Sequence, residues 1–300
     1  MAAVTTLDSP RPDPEEWALA SPAPKGGLAE VFRRRYLLKL VVKRQLAQQY
    51  SASILGFIWS YIQPLIRFLV YYFAVAMVLK AHVDTPYFAI HLFCGLVMVH
   101  YFNQTIGAGT RSIWSNRRLV TKMALPREVF PVASVMVAAF HTLPQVIVLA
   151  IACGIIGLAL DLTGVLAGLL GLALLTVFGA ACALFFSAAN VFFRDFQNLV
   201  ATVVGFMHFM VPMIYSYDRV ADSAIGGTWW EELYLANPVA EAVMLLQRCF
   251  WSGVVDDPSA TLYPDHLMLR GVIMLGVSLV LLALAQLTFQ RLETKFPERL

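Results

Sequence analysis

Residues 43–65 read Lys43-Arg44-Gln45-Leu46-Ala47-Gln48-Gln49-Tyr50-Ser51-Ala52-Ser53-Ile54-Leu55-Gly56-Phe57-Ile58-Trp59-Ser60-Tyr61-Ile62-Gln63-Pro64-Leu65. Two kinds of helix meet here. The first part is basic and partly amphipathic. From Ile54 the residues turn apolar, and a run long enough to cross a bilayer begins. Five more apolar runs follow. The expected fold is an all-α polytopic membrane protein with six transmembrane helices near 54–79, 90–109, 129–160, 162–193, 199–217 and 267–289. The third and fourth exceed the ~20 residues a bilayer needs, so they tilt or project from it.

Composition points the same way. Apolar residues make up 59% of the chain and charged ones 14%, with a mean hydropathy of +0.69. An average soluble domain carries about 25% charge, so a soluble globular fold is excluded. The net charge is only +3 and no long basic block occurs, which argues against a nucleic-acid partner. Cys94, Cys153, Cys182 and Cys249 form no Cys-x-x-Cys pair, and no metal site is expected.

The chain divides into three. Residues 1–27 are rich in Pro, Ala and Asp, lack the apolar core of a signal peptide, and are expected to be a disordered cytoplasmic tail. Residues 28–51 form an amphipathic interfacial helix with Leu28, Val31, Leu38, Val42 and Leu46 on one face, although Arg35 and Gln49 intrude on it. Residues 52–300 form the six-span unit. Lys and Arg gather before span one, between spans two and three, at Arg194 and after span six, whereas Asp and Glu gather on the other side. The positive-inside rule then puts both termini in the cytoplasm.

Polar residues inside the spans carry the functional signal. Trp59, Gln63, Arg67 and Tyr71 recur every fourth residue and form one ladder. Arg67 lies deep in an apolar run, where a charge must face protein or water. Pro64 is expected to kink this span. In span two, His100, Asn103, Gln104, Gly107 and Arg111 share a face too polar for lipid. Aromatic residues accompany them: Tyr61, Phe68 and Tyr72 on span one, and Phe206, Phe209 and Tyr215 on span five. Such rings pack on the apolar faces of sugars, and equally serve as ordinary packing and belt residues. Together these residues are the candidate translocation path.

Two absences narrow the energetics. The spans hold no central Asp or Glu to relay protons. None of the six lysines is followed by Ser or Thr, so the phosphate loop of an ATPase is missing. The chain is expected to be no enzyme, with no cofactor of its own, and a separate ATPase subunit would hold the ATP and Mg.

Residues 218–266 are too long for a simple connection between spans. They contain Trp229-Trp230, then Asn237-Pro238 as a helix start, then Val239, Val243, Leu246 and Phe250 at helical spacing up to Trp251. Two short re-entrant helices are expected between the last two spans. Trp229, Trp230 and Trp251 suit the membrane interface, and Asn237, Pro238 and Phe250 complete a candidate outer gate.

At four places the chain resembles the membrane subunit of type-2 ABC exporters of the polysaccharide kind. These are Gln49-Tyr50 through Leu55-Gly56 to Trp59 with Pro64; Asn116-Arg117-Arg118-Leu119-Val120 through Lys122-Met123 and Pro126 to Pro131; Phe193-Arg194-Asp195-Phe196 with Pro212 and Tyr215; and Asn237-Pro238. Ser51 departs from the basic residue the family often carries there. The resemblance implies a homodimer of six-span subunits in the bacterial plasma membrane, bound to two ATPase copies. It also implies export of a lipid-linked glycan for cell-envelope biogenesis, such as O-antigen, teichoic acid or mycobacterial galactan. Asn116, Arg117, Arg118, Leu119, Val120, Lys122, Met123 and Pro126 would couple to the ATPase. The Ala/Pro-rich tail and Ala/Val-rich spans suit an actinobacterium, which puts galactan on a polyprenyl diphosphate first among substrates. The rival readings are a permease of the same fold for drugs or small lipids, and a membrane-embedded glycan enzyme. The latter needs clustered carboxylates, for which Asp256-Asp257 beside Pro258 is the nearest candidate.

Overall fold

The computed structural model describes residues 27–50, 56–78, 80, 85–123, 125–159, 161–255 and 261–300. Residues 1–26 of the tail expected over 1–27, the segment 51–55 with Ser51, and Asp256-Asp257 lie outside the described residues, and Gly27 already begins a helix. Every described element is helical. Four helical stretches are long and apolar enough to cross a membrane: Trp59–Val78, Val129–Ile156, Leu162–Phe192 and Leu267–Glu293.

The chain opens with α1 (Gly27–Arg33) and α2 (Arg35–Tyr50). The single interfacial helix expected here is thus broken at Arg34. Val31, Leu38 and Val41 are buried, whereas Leu46 is only partly covered. The burial stripe has moved because α2 packs along another helix rather than lying only on lipid.

A short 3-10 turn (Gly56–Ile58) leads into α3 (Trp59–Tyr71), which continues through Pro64. The irregularity comes later, as π-helical turns over Tyr72–Val78. No residue of α3 is buried. Then come α4 (Phe88–Ser115), α5 (Arg117–Lys122), α6 (Val129–Ile156) and α7 (Leu162–Phe192). α4 has 28 residues, as many as α6, but carries the polar stripe.

α8 (Phe196–Phe206) is shorter than the expected fifth span. The chain breaks into turns from Met207, and Pro212 follows. Proline has no amide hydrogen to donate and disfavours a helical residue before it, so one continuous helix over 199–217 does not form. Short α9 (Tyr217–Ala221) and α10 (Trp229–Leu235) precede α11 (Pro238–Phe250), α12 (Leu267–Glu293) and α13 (Phe296–Arg299).

The bundle is centred on α7, flanked by α4, α11 and α12, with α6 against α4. Small residues bring these helices close. A Cβ on Gly109 of α4 would sit 2.5 Å from the Ala183 Cβ of α7, and one on Gly171 of α7 would sit 2.9 Å from the Ala242 carbonyl of α11. α11 is therefore sunk into the bundle, buried along nearly its whole length, including Glu241 and Gln247. Asn237 caps it by accepting from the Val239 amide at 3.0 Å, with Pro238 in the first turn.

A second core closes one end of the bundle. Val31 and Leu38 meet Ile113, Val120, Phe130, Phe289 and Phe296 there, so the first and last described helices sit at the same end. Arg127 is buried at this end, donating to the Glu293 carbonyl at the end of α12 and lying 5.8 Å from the Phe296 ring. Glu128 beside it accepts from Gln286 at 2.9 Å.

Candidate functional site

Two polar cavities adjoin between α2, α3, α4 and α6. The first, of about 350 Å³, is lined by Gln49, Tyr50, Trp59, Ser60, Gln63, His100, Gln104 and His141. The second, of about 490 Å³, continues from Gln49 and Gln104 toward the end carrying α1 and α13, past Asn103, Gly107, Arg111, Asn116 and Arg44. Helical periodicity explains the lining. Residues 59 and 63 of α3, and 100, 103, 104, 107 and 111 of α4, recur every three or four positions and so present one face.

Hydrogen bonds hold this groove in shape. Tyr50 Oη lies 2.6 Å from Ser60 Oγ and 3.1 Å from His141 Nδ1, and His141 Nε2 donates to Gln49 Oε1 at 3.1 Å. Burial holds the Tyr50 phenol above its ordinary range, so it stays a neutral donor. Arg44 donates to Asn116 Oδ1 at 3.2 Å. Arg67 Nη1 donates to His100 Nδ1 at 3.4 Å and makes no ion pair among the described residues. Asn103 Oδ1 and Gln104 Oε1 are shielded from solvent and have no hydrogen-bond partner among the described residues. Neither cavity is lined by a carboxylate. The groove thus combines fixed positive charge with unmatched acceptors, a chemistry that receives anions and hydroxyl groups.

The other expected path residues distribute around it. Tyr61 and Phe68 face a separate apolar cavity farther along α3, α4 and α6, which shares Pro64 with the first polar one, and Phe68 stacks on Tyr72 at 5.7 Å. Tyr71 stacks on His208 at 5.8 Å. Phe206 and Phe209 point outward, exposed, and Tyr215 is tied to the Phe209 carbonyl at 2.9 Å rather than to the groove.

In the expected coupling segment, Arg117, Arg118, Lys122 and Met123 are exposed, and Leu119 is half-buried. Val120 is 4% exposed and Pro126 is buried, so neither is an accessible anchor. Val120 turns inward because α5 rests its apolar side on the second core. At the expected outer gate, Trp229 and Trp230 stack with their rings 3.8 Å apart and are exposed. Phe250 and Trp251 are instead buried. Trp251 is 2% exposed and donates its indole proton to the Pro86 carbonyl at 2.7 Å, so it is not an interfacial residue. Asn237, besides capping α11, donates to the Met210 carbonyl at 3.2 Å.

Sequence reasoning missed His141, Glu241 and Trp114. The guanidinium of Arg194 lies 3.9 Å over the Trp114 ring and that of Arg117 lies 5.1 Å from it. Trp114 thereby joins the coupling segment to the Phe193–Phe196 motif. A lone His in the apolar run of α6 was the one available signal for His141.

Residues 36–251 match the family model of the ABC-2 type transporter. The chain belongs to this family. Its relatives include two proteins named O-antigen export system permease protein RfbA. One, from Klebsiella pneumoniae, is 25% identical over 266 residues, covering 87% of this chain and 94% of the relative. The other, from Myxococcus xanthus, is 28% identical over 273 residues, covering 90% and 97%. The family match covers α2 to the end of α11 and includes every groove-lining helix of this ABC-2 transporter.

Proposed function

We propose that this ABC-2 transporter is the transmembrane subunit of an ATP-driven exporter that moves a polyprenyl-diphosphate-linked polysaccharide, galactan or O-antigen-like, across the bacterial plasma membrane. It works as a homodimer of six-span subunits, both termini cytoplasmic, with two copies of a separate ATPase that binds ATP and Mg. The α10–α11 hairpin re-enters the outer leaflet and narrows the exit.

The observation that carries this reading is the pair of adjoining polar cavities, lined by Arg44, Arg111, Asn103 and Gln104 without a carboxylate, next to Arg67. A diphosphate finds cations there, and sugar hydroxyls find acceptors. Arg44 and Arg111 lie toward the end that holds α1 and α13, the cytoplasmic end in this reading, where a glycan lipid would first arrive. α3, with no residue buried against its own chain, is the helix a second copy would cover. Exposed Arg117, Arg118, Lys122 and Met123 supply a basic surface with one apolar anchor for the ATPase.

The test is purification from the native host under mild solubilisation, followed by reconstitution. An ATPase subunit should co-purify, and its hydrolysis should rise with the lipid-linked glycan and not with small amphiphiles. Stimulation by small amphiphiles alone would replace this reading with the drug or small-lipid permease. Absence of any ATPase would overturn both.

A further inference from the structure

Glu241 lies in the first turn of α11 and is fully buried, and neither of its carboxyl oxygens has a hydrogen-bond partner among the described residues. An unpartnered buried carboxyl is costly whether it keeps its charge or takes up a proton. The cation whose charge reaches it is Arg270, at the start of α12. Two features of the packing bring them near each other. A Cβ on Gly271 would sit 2.8 Å from Leu245 Cδ1, and Leu245 shares a face of α11 with Glu241, one turn away. Glu232 lies five residues before Asn237 along α10, and Glu241 four residues after it along α11. At a rise of ~1.5 Å per residue both carboxyls stand about 6–8 Å from the hairpin turn, at similar heights.

Arg270 is engaged elsewhere. Its Nη1 and Nη2 each donate to Glu232 at 2.9 Å, and its Nε donates to the Asp265 carbonyl at 3.2 Å. All three nitrogens are in use, so a two-bond grip on Glu241 requires that Glu232 be let go. Glu232 is also the side chain that ties α10 to α12. Its neighbour Glu231 ties α10 instead to the Tyr217 hydroxyl and the Gly227 amide. Release of Glu232 would therefore free α10 from α12 and leave it tethered at its start.

We infer that Arg270 has two carboxyl partners, Glu232 when α10 is seated against α12 and Glu241 when α10 is lifted, and that exchange between them is the latch of the outer hairpin. Glu241 is on this account a positioning residue for α10. The energies suit an exchange. An exposed pair such as Arg270–Glu232 is worth little, whereas the buried pair gains a stronger attraction and strips water from the guanidinium. Neither partner wins by a wide margin, as a two-state element requires. The inference goes beyond the exporter reading and needs only the hairpin; neither cargo nor ATPase enters it.

The test is a distance measurement on the full chain in nanodiscs. After removal of the native four cysteines, spin labels are attached to Leu233→Cys on α10 and Leu269→Cys on α12, both exposed positions. The labelled chain is diluted with unlabelled copies and read by pulsed electron resonance. A seated α10 gives a short distance and a lifted one a long distance. Glu232→Gln should raise the ratio of long to short about tenfold, because Arg270 turns to Glu241. Adding Glu241→Gln should reverse most of that rise, because the second partner is gone. With Arg270→Gln in place, Glu241→Gln should change nothing. An unchanged ratio in Glu232→Gln, or the same ratio with and without Glu241→Gln, would overturn the inference. So would an effect of Glu241→Gln that survives Arg270→Gln, since Glu241 would then act through packing alone. Glu241→Met repeats the cycle should the glutamine variant melt early. Glycan-stimulated hydrolysis with the ATPase is measured separately, and its absence would overturn the exporter reading without touching the latch.

Discussion

Arg67 Nη1 donates to His100 Nδ1 across 3.4 Å, joining the polar faces of α3 and α4. A guanidinium cannot accept a proton, so His100 is neutral here with its hydrogen on Nε2. The pair leaves the Arg67 charge unneutralised among the described residues.

Arg67→Lys tests that charge. Lysine keeps the positive charge but loses the planar fork that grips a diphosphate. The variant is expected at wild-type protein level, with export reduced by about tenfold or more, on the order of the 1.5–3 kcal/mol that charged hydrogen bonds contribute. Immunoblot and surface glycan are read in one strain. Parallel loss of protein and glycan would assign Arg67 to folding alone.

The coupling segment separates into two kinds of residue. Val120→Asp buries a charge in the second core and should destabilise the chain itself by on the order of 3 kcal/mol. Met123→Asp and Lys122→Glu change only exposed side chains. They should leave the melting temperature unchanged and weaken ATPase association in pull-downs. Wild-type association in the Met123/Lys122 double variant would clear this surface of the role.

Arg127 stitches the start of α6 to the end of α12, where a cation satisfies a terminal carbonyl. Arg127→Ala should lower thermal stability by about 1–3 kcal/mol through the orphaned carbonyl. A melting curve that does not move would mean that solvent replaces the bond without cost.

Glu232 accepts two hydrogen bonds from Arg270, both at 2.9 Å, pinning α10 to α12. These bonds hold its carboxyl below the ordinary range. A depressed folded value means that the stabilisation is complete above the ordinary glutamate pKa of about 4.3 and is lost as pH falls through the lower folded value. Wild type should therefore lose more stability on acidification than Glu232→Gln. The pair is exposed, so the difference should be small, and superimposable acid limbs would dismiss it.

Cysteines introduced one at a time, after removal of the native four, test the hairpin. Positions Val243 and Leu246 are buried and Trp230 is exposed. A membrane-impermeant thiol reagent should modify Trp230→Cys and spare the other two in the resting transporter. Equal labelling of all three would mean that α11 is not sunk in the bundle.

Much of the architecture was readable because periodicity and hydropathy are local. The apolar runs of α6, α7 and α12, the Asn237-Pro238 helix start, and the shared faces of Gln63 with Trp59 and of His100 with Gln104 all follow from spacing. What was not readable depended on neighbours distant in sequence. Val41 rather than Val42 is fully buried because α2 leans on α6. Val120 and Trp251 turn inward because a second core and the Pro86 carbonyl await them. Arg127 looked like one more topology-setting charge until the end of α12 came beside it. His141 gains meaning only when Gln49 and Tyr50 arrive from another helix.

The core joining Val31 and Leu38 to Phe289 and Phe296 has a consequence for the order of synthesis. Val31 leaves the ribosome 265 residues before Phe296. Phe296 packs edge-on against Phe289 at 5.5 Å and lies beside Phe192 at 6.2 Å, so this end stays open until translation has passed it. A nascent chain stalled inside α12 would leave the apolar side of α1 uncovered, since α1 packs on α12 whereas α2 already rests on α6, and a chaperone or protease that reads such a surface would distinguish finished subunits from interrupted ones.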